Sequence, residues 1–471
     1  MALPGDRCVG TVRESNRSES SAAARRCQPL AFWLWRCGMR RAARLTARCF
    51  ARRACGAAIV AGVALVAGAA AHPVVGGDWP EFRGTTGQGL ADGCDPPAIW
   101  DLEKNVRWKA PIAGQGWSSP IVRGDRIFLT TAVPADGDPP TRQSLRVVCL
   151  DLATGATRWD HEIFSKTIGP DVKLHKKNSH ASPTPIADEQ HLFVHFGPDG
   201  TACLDFDGKV IWANDRLRYN PQHGAGGSPI FSGPRLVFHA DGVEEPFIAA
   251  LHRDSGAVAW KTVRPETQSP RFSFCTPLEI EAEGRRQIVS PASHVVVSYE
   301  PATGEELWRV TYPNKWSVVP RPVYSHGLVF VCTGYDGPAE LLAIRPTGSG
   351  DVTGTHVAWK TDDNVPHNPS PLVVGDEIYC MADNGIASCR DAATGTLHWR
   401  QRIGGNFSAS PVHAAGRIYV ISETGVATVF AAGREWKELG SCDFGAAALA
   451  SPAFVDNAVL VRTEGHLWRI E

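Results

Sequence analysis

Apolar and polar positions alternate along most of this chain in short runs, each closed by Gly, Asp, Asn or Pro, and the runs return in the same order every few dozen residues. From Pro371 onward, Leu-Val-Val is followed by Asp376-Glu-Ile-Tyr-Cys-Met-Ala-Asp383, then Asn384-Gly385, then Ile386-Ala-Ser-Cys-Arg-Asp391, then Ala393-Thr-Gly395 and Thr396-Leu-His-Trp399. Alternation with β-branched content predicts four short strands in this stretch. Asn-Gly between two alternating runs predicts a two-residue hairpin, because both residues tolerate the positive φ of a type I′ turn. No segment sustains a 3.6-residue period, so helical solenoids are excluded.

The unit opens on a Ser-Pro or a close variant and closes on a Trp. The opening prolines are Pro120, Pro183, Pro229, Pro277, Pro322, Pro371, Pro411 and Pro452; the closing tryptophans are Trp108, Trp159, Trp212, Trp260, Trp308, Trp359, Trp399 and Trp436. The two series interleave and both count eight. Four antiparallel strands per period of about 40 to 50 residues is the blade of a β-propeller. The expected fold is all-β, an eight-bladed propeller spanning residues 105–471. Trp108 precedes the first opening proline, whereas the last unit ends at His466-Leu-Trp-Arg-Ile470 without a fourth strand. Residues 105–112 should supply it, closing the ring and removing an open sheet edge.

Leu150-Asp-Leu-Ala-Thr-Gly-Ala-Thr-Arg-Trp159, Tyr299-Glu-Pro-Ala-Thr-Gly-Glu-Glu-Leu-Trp308 and Asp391-Ala-Ala-Thr-Gly-Thr-Leu-His-Trp399 resemble the pyrroloquinoline-quinone (PQQ) type propeller repeat. The resemblance covers roughly residues 105–471. It extends both to quinoprotein dehydrogenases and to non-catalytic relatives such as the scaffold subunit of the outer-membrane β-barrel assembly machinery. It implies closing tryptophans packed between blades, here Trp159, Trp212, Trp260, Trp308, Trp359 and Trp399. In the dehydrogenases it implies PQQ, a stacking Trp, a vicinal Cys-Cys ring, a catalytic Asp and calcium held by Glu, Asn and Asp. No Cys-Cys dipeptide occurs, and no position matches the calcium ligands residue by residue. Asp78-Trp-Pro-Glu-Phe-Arg-Gly-Thr-Thr-Gly87, within the extension 72–104, looks like the opening of secreted propellers of this class.

Charge divides the chain in two. Its formal net charge is −1, but twelve of the 48 basic and three of the 49 acidic side chains fall in residues 1–71, which therefore carry +9 and leave −10 on the other 400. An acidic body with dispersed charge argues against nucleic-acid binding, which needs clustered Lys and Arg. The basic segment ends in an apolar, Ala-rich run, Gly56–Ala71, with small residues Ala69 and Ala71 at its end. Residues 1–71 read as an export leader, and Met39 offers an alternative start that gives a leader of ordinary length. The run falls short of the ~20 strongly apolar residues of a membrane span. The mature chain is expected in the periplasm, the cell envelope or outside the cell, as a monomer without a membrane span.

Five of the 13 cysteines lie in the leader, leaving eight. Cys149, Cys203 and Cys389 fall in one column of the repeat with Ala250, Ser298 and Ala343, where a small packing residue is wanted. With a two-residue Asn384-Gly385 loop, Cys380 would sit opposite Cys389, close enough for a disulfide.

The residues just before each opening proline should ring the mouth of the central channel, on the face that also carries the turns between second and third strands. This ring supplies the candidate ligand site: Trp117, His180, His223, Trp316, His367 and Asn406. A concave mouth with convergent polar groups is the natural binding site; the same groups could equally satisfy strand ends and channel water. The longest connection, 160–179, carries Lys166, Lys173, Lys176 and Lys177, either as solvated charges or as a docking loop for an anionic partner. No catalytic residue and no metal ligand is assigned. The function expected is a non-catalytic scaffold binding a protein or small ligand over this face; the alternative is a PQQ-dependent alcohol or sugar oxidoreductase.

Overall fold

Six of the closing tryptophans lie directly across the sheet from a small residue, and this pairing fixes the blade. Trp159 pairs with Cys149, Trp212 with Cys203, Trp260 with Ala250, Trp308 with Ser298, Trp359 with Ala343 and Trp399 with Cys389. An indole facing inward leaves no room for a large partner, which explains the column of Cys, Ala and Ser. One residue beyond each pair the register shifts by a bulge.

The computed structural model describes residues 77–137, 141–169, 174–265 and 268–471. The leader, its alternative start at Met39, and Lys173 lie outside the described residues. Eight sheets follow one another in chain order. Blade 1 spans residues 121–167, blade 2 186–214, blade 3 230–263, blade 4 278–311, blade 5 323–361, blade 6 372–402 and blade 7 412–443; blade 8 takes three strands from 453–470. Its fourth is β1 (Val106–Pro111), paired antiparallel with β2 (His466–Ile470). The ring is closed as the sequence predicts. In blade 4 the short segment Gly350–Asp351 adds a fifth strand, parallel to the outermost one.

Between blades, the indole N–H of each tryptophan donates to a carbonyl of the following blade: Trp108 to Leu152, Trp159 to Phe206, Trp212 to Arg253, Trp260 to Pro301, Trp359 to Ala392 and Trp399 to Gly433, all at 2.8–3.1 Å. The indole also lies on the next blade's Thr-Gly turn; a Cβ on Gly304 (φ +74°) would stand 2.5 Å from the Trp260 ring. Thus the Thr-Gly and the Trp of the repeat are two halves of one joint. Trp308 departs from the pattern and donates to Gln287 within its own blade, because blade 5 has an inserted loop where the turn would be. Trp436 is also misassigned by spacing. The closing position of blade 7 is Gly440, opposite Val429, and Ile99 of the N-terminal extension fills the space above it.

Two further expectations need correction. The second unit opens at Pro185, not Pro183: its first strand starts at Ile186, as Ile121 follows Pro120, and Thr184 occupies the position of Ser119. The hairpin at Asn384-Gly385 has three loop residues. Gly385 N–H donates to Ala382 O, and Ala382 pairs with Ile386, a type I turn followed by a left-handed glycine. One extra loop residue moves the register by one, so Cys389 faces Tyr379 and Cys380 faces Ser388. The two thiols then belong to opposite faces of the sheet and to different packing clusters. Cys380 and Cys389 are free, as are the other described cysteines.

The extension 77–104 braces the face opposite the mouth. Asp78 binds the first hairpin of blade 1 through Arg123 and the N–H of Gly124. Pro80 O accepts from Ala187 of blade 2, and Gln88 from the N–H of Tyr324 in blade 5. Leu90 bridges to His413 of blade 7, and Trp100 stacks on Tyr419 at 6.3 Å. One strand of chain thereby ties blades far apart in the ring.

Candidate functional site

The first strand of every blade lines the channel, and the residue before its opening proline sits at the same depth each time. Six of these eight junctions carry the same bond, a backbone N–H donated to the hydroxyl of the next blade: Ser119 to Thr184, Thr184 to Ser228, Ser228 to Thr276, Arg321 to Ser370, Ser370 to Ser410 and Ser410 to Ser451, at 2.8–3.0 Å. The result is a belt of hydroxyls around the axis. It is interrupted at blade 5, where Arg321 stands in place of Ser or Thr. This guanidinium turns to the N-terminal extension, donating to Phe82 O at 2.7 Å, to Glu81 at 3.1 Å and to Pro277 O at 3.1 Å. Arg83, completely buried, donates to Pro371 O at 2.8 Å. The two arginines hold Phe82 across the end of the channel, where it becomes the floor of a cavity of about 410 Å³.

Above the belt the cavity has an aromatic collar from Trp117, Phe272, Phe274, Trp316 and Tyr335, with His175, Lys177 and His223 at its rim. Turns between second and third strands share this rim with the entrances to the first strands. Phe407 N–H donates to Asp383 O, and Glu423 N–H to Asn406 O. The loop that joins blade 1 to blade 2 reaches over the opening: Lys177 Nζ lies 2.7 Å from Glu423 of blade 7 and 4.0 Å from Asp383 of blade 6. Asn178 donates to His223 O at 2.9 Å, and the His175 and His223 rings meet edge-on at 5.8 Å. Burial lowers the pKa of His175, favouring the neutral ring.

Of the six residues expected at the mouth, the structure brings Trp117, His223 and Trp316 into the cavity wall. His180 lies in a neighbouring cavity of about 500 Å³, with Lys166, Asp199 and Tyr219; burial and the Lys166 ammonium push its pKa down to about 4. His367 stands outside the wall, stacked on Tyr335 at 4.3 Å, while its neighbour Asn368 reaches in. Asn406 is exposed and contributes only its carbonyl. His180, His367 and Asn406 lie on turns and loops ahead of the first strands, so a count back from the proline finds the segment without fixing which residue points inward.

The lysine loop is likewise resolved in part. Lys166 is bound to Asp199 at 2.6 Å and Lys177 to Glu423, so two of its charges are satisfied internally; Lys176 is exposed. Tyr335 and His175 carry no sequence signal, since neither adjoins an opening proline.

Calcium and a quinone are what the dehydrogenase resemblance implies. A hard divalent cation needs several oxygen ligands, carboxylates above all, and the cavity wall contains neither Asp nor Glu. Two carboxylates at the rim, Asp383 and Glu423, face the Lys177 ammonium instead. No group of three or more His, Cys, Asp or Glu side chains is placed to hold a metal among the described residues. This donor set does not fit a calcium-held quinone.

A family model described as outer membrane protein assembly factor BamB matches residues 143–391 and 351–470. Among solved structures, the chain resembles BamB from Moraxella catarrhalis, with 13% identity, a TM-score of 0.54, and 78% of this chain and 96% of that one covered. It also resembles a europium-containing methanol dehydrogenase (12% identity, TM-score 0.55, 82% and 89% covered) and the computationally designed protein Ika8 (13%, 0.52, 78% and 99%). At these identities the three structures carry the fold alone, and a natural scaffold, an enzyme and a design share it. No curated protein matches the sequence. With its repeats, its ring closure and the family model in agreement, the chain belongs to the family of the outer membrane protein assembly factor BamB.

Proposed function

We propose that this protein is an exported, non-catalytic propeller of the cell envelope or periplasm that binds a partner protein or small ligand through the face bearing the channel mouth. The observation that carries the reading is the one-ended chamber. Phe82, held by Arg321, forms its floor, and the aromatic collar with Tyr335 and Trp316 stands at the rim. Aromatic side chains around a concave mouth are strong contact residues, combining large apolar area with one polar edge. Within the described residues no helix is long and apolar enough to cross a membrane.

The test is site-directed photo-crosslinking in the native host. A benzophenone amino acid at Tyr335, which is 37% exposed, should trap a defined partner or be protected by a bound ligand, whereas the same probe at Val258, on the outer edge of blade 3, should do neither. Equal behaviour at both positions sinks the proposal. Titration with PQQ and Ca²⁺, followed by dye-linked alcohol or sugar oxidation, tests the enzyme reading: turnover would replace the scaffold with a quinoprotein.

A further inference from the structure

Six hydroxyls of the belt, on Ser119, Thr184, Ser228, Thr276, Ser370 and Ser451, have a hydrogen without a protein acceptor among the described residues. Thr184, Ser228, Thr276, Ser370 and Ser451 each accept a backbone N–H from the preceding blade. All six line the chamber. They are at most 5% exposed. A hydroxyl that accepts a hydrogen bond becomes a stronger donor, because the bonds polarise one another. Blades 1, 2, 3, 4, 6 and 8 therefore aim donors at one axis from different sides.

Among the described residues no carboxylate lines the chamber itself. At its entrance Lys177 faces Glu423 and Asp383, and His175 and His223 present their rings, so the hydroxyl hydrogens and not a net positive charge carry the choice of ligand. Five of the six hydroxyls have given one lone pair to a backbone N–H, and all six keep their hydrogen. Several such hydrogens facing one space with no carboxylate in the wall suit a compact group rich in acceptors. Above the belt, Trp117, Phe272, Phe274 and Trp316 offer apolar faces to whatever carries that group.

We propose that the chamber is a binding site for a carboxylate carried on a flat apolar body, with the acid group against the free hydroxyl hydrogens of the belt and the body within the aromatic collar. This rests on the reading of the chamber as a ligand site and adds the class of ligand. Such an acid can belong to a small molecule or to the C-terminus of a partner chain, and the two sources share this chemistry.

Isothermal titration of the mature chain with 2-naphthoate and with its uncharged isostere 2-naphthamide tests the proposal. Hydrogen bonds to a charged acceptor make the acid bind roughly 10- to 100-fold more tightly than the amide. Ser228→Ala and Ser451→Ala should each weaken the acid several-fold and leave the amide unchanged; Ser228→Thr, which keeps the hydroxyl, should restore binding, and a thermal melt of each variant verifies folding. A tripeptide ending in Phe, as free acid and as amide, distinguishes the sources: preference for the peptide acid over naphthoate assigns the site to a chain terminus, and the reverse to a small acid. Equal affinity for acid and amide overturns the choice of ligand and leaves the chamber a binding site. Binding of neither overturns the inference, while crosslinking at Tyr335 still decides the scaffold reading on its own.

Discussion

Lys177 Nζ stands 2.7 Å from Glu423, although the two residues lie on the connection after blade 1 and on a turn of blade 7. The contact spans the channel mouth and makes the 174–182 loop a strap over the chamber. Both side chains are about one-fifth exposed, so the pair should contribute no more than about 1 kcal/mol to stability. Its effect is on local order.

Lys177→Ala or Glu423→Gln should speed amide hydrogen exchange in residues 174–182 while shifting the melting temperature little. In the double variant the exchange rates should match those of the single ones, since either change alone breaks the strap. Exchange that is unaltered in both single variants would show that the loop is held by Asn178 and His223 instead.

The joint between Gly304 and Trp260 predicts strong coupling. Gly304→Ala adds a methyl 2.5 Å from the indole and places a Cβ at φ +74°, costing roughly 2 kcal/mol or more from left-handed strain and overpacking. Trp260→Ala should cost about 3–5 kcal/mol. Urea denaturation of the double variant should show less than the sum, because the clash disappears with the ring.

Thiol chemistry checks the register of blade 6. Burial pushes Cys149, Cys203, Cys380 and Cys389 up to about 12, so at pH 8 scarcely any thiolate exists in the folded chain. A thiol reagent should leave these four untouched until the protein is unfolded and then modify all of them. Half-buried Cys442 should react first. A mass two units low, with Cys380 and Cys389 blocked after unfolding, would contradict the three-residue loop.

His195 should make stability fall in mild acid. Its ring is buried against Phe238 at 4.3 Å, Nδ1 lies 2.8 Å from Thr201 Oγ1, and desolvation with nearby His239 pushes the pKa down to about 3. The unfolded chain binds this proton near the ordinary value of 6.5. The contribution is therefore complete above about pH 6.5 and is lost as pH falls from there toward 3, at about 1.4 kcal/mol per pH unit for one proton. Denaturant melts at pH 7.5 and 5.0 should show the drop, and His195→Gln should reduce it. An unchanged pH dependence in that variant would assign the drop to other groups, His180 foremost.

The repeat is legible because it records one packing event six times around the ring. Trp159 opposite Cys149, and Trp260 against Gly304 of the next blade, impose residue types at fixed spacing, and such constraints survive as a pattern in the chain. Where the event changes, spacing misleads. Spacing places Trp436 in the series, yet Gly440 holds the position, because Ile99, more than 300 residues earlier in the chain, fills the gap. Pro183 and Pro185 are equivalent as sequence; only the start of the strand at Ile186 distinguishes them.

The candidate site divides along the same line. Trp117, His223 and Trp316 stand on the segments that lead into blade entrances, and a propeller must place those segments around its axis. Tertiary structure alone decided that Lys177 crosses the mouth to Glu423, that Phe82 seals the far end under Arg321, and that six hydroxyls share one axis. Local alternation and turn chemistry act between neighbours in the chain and so can be read from it. Contacts across a closed ring depend on how eight blades are set around their centre, and no short stretch of sequence carries that geometry.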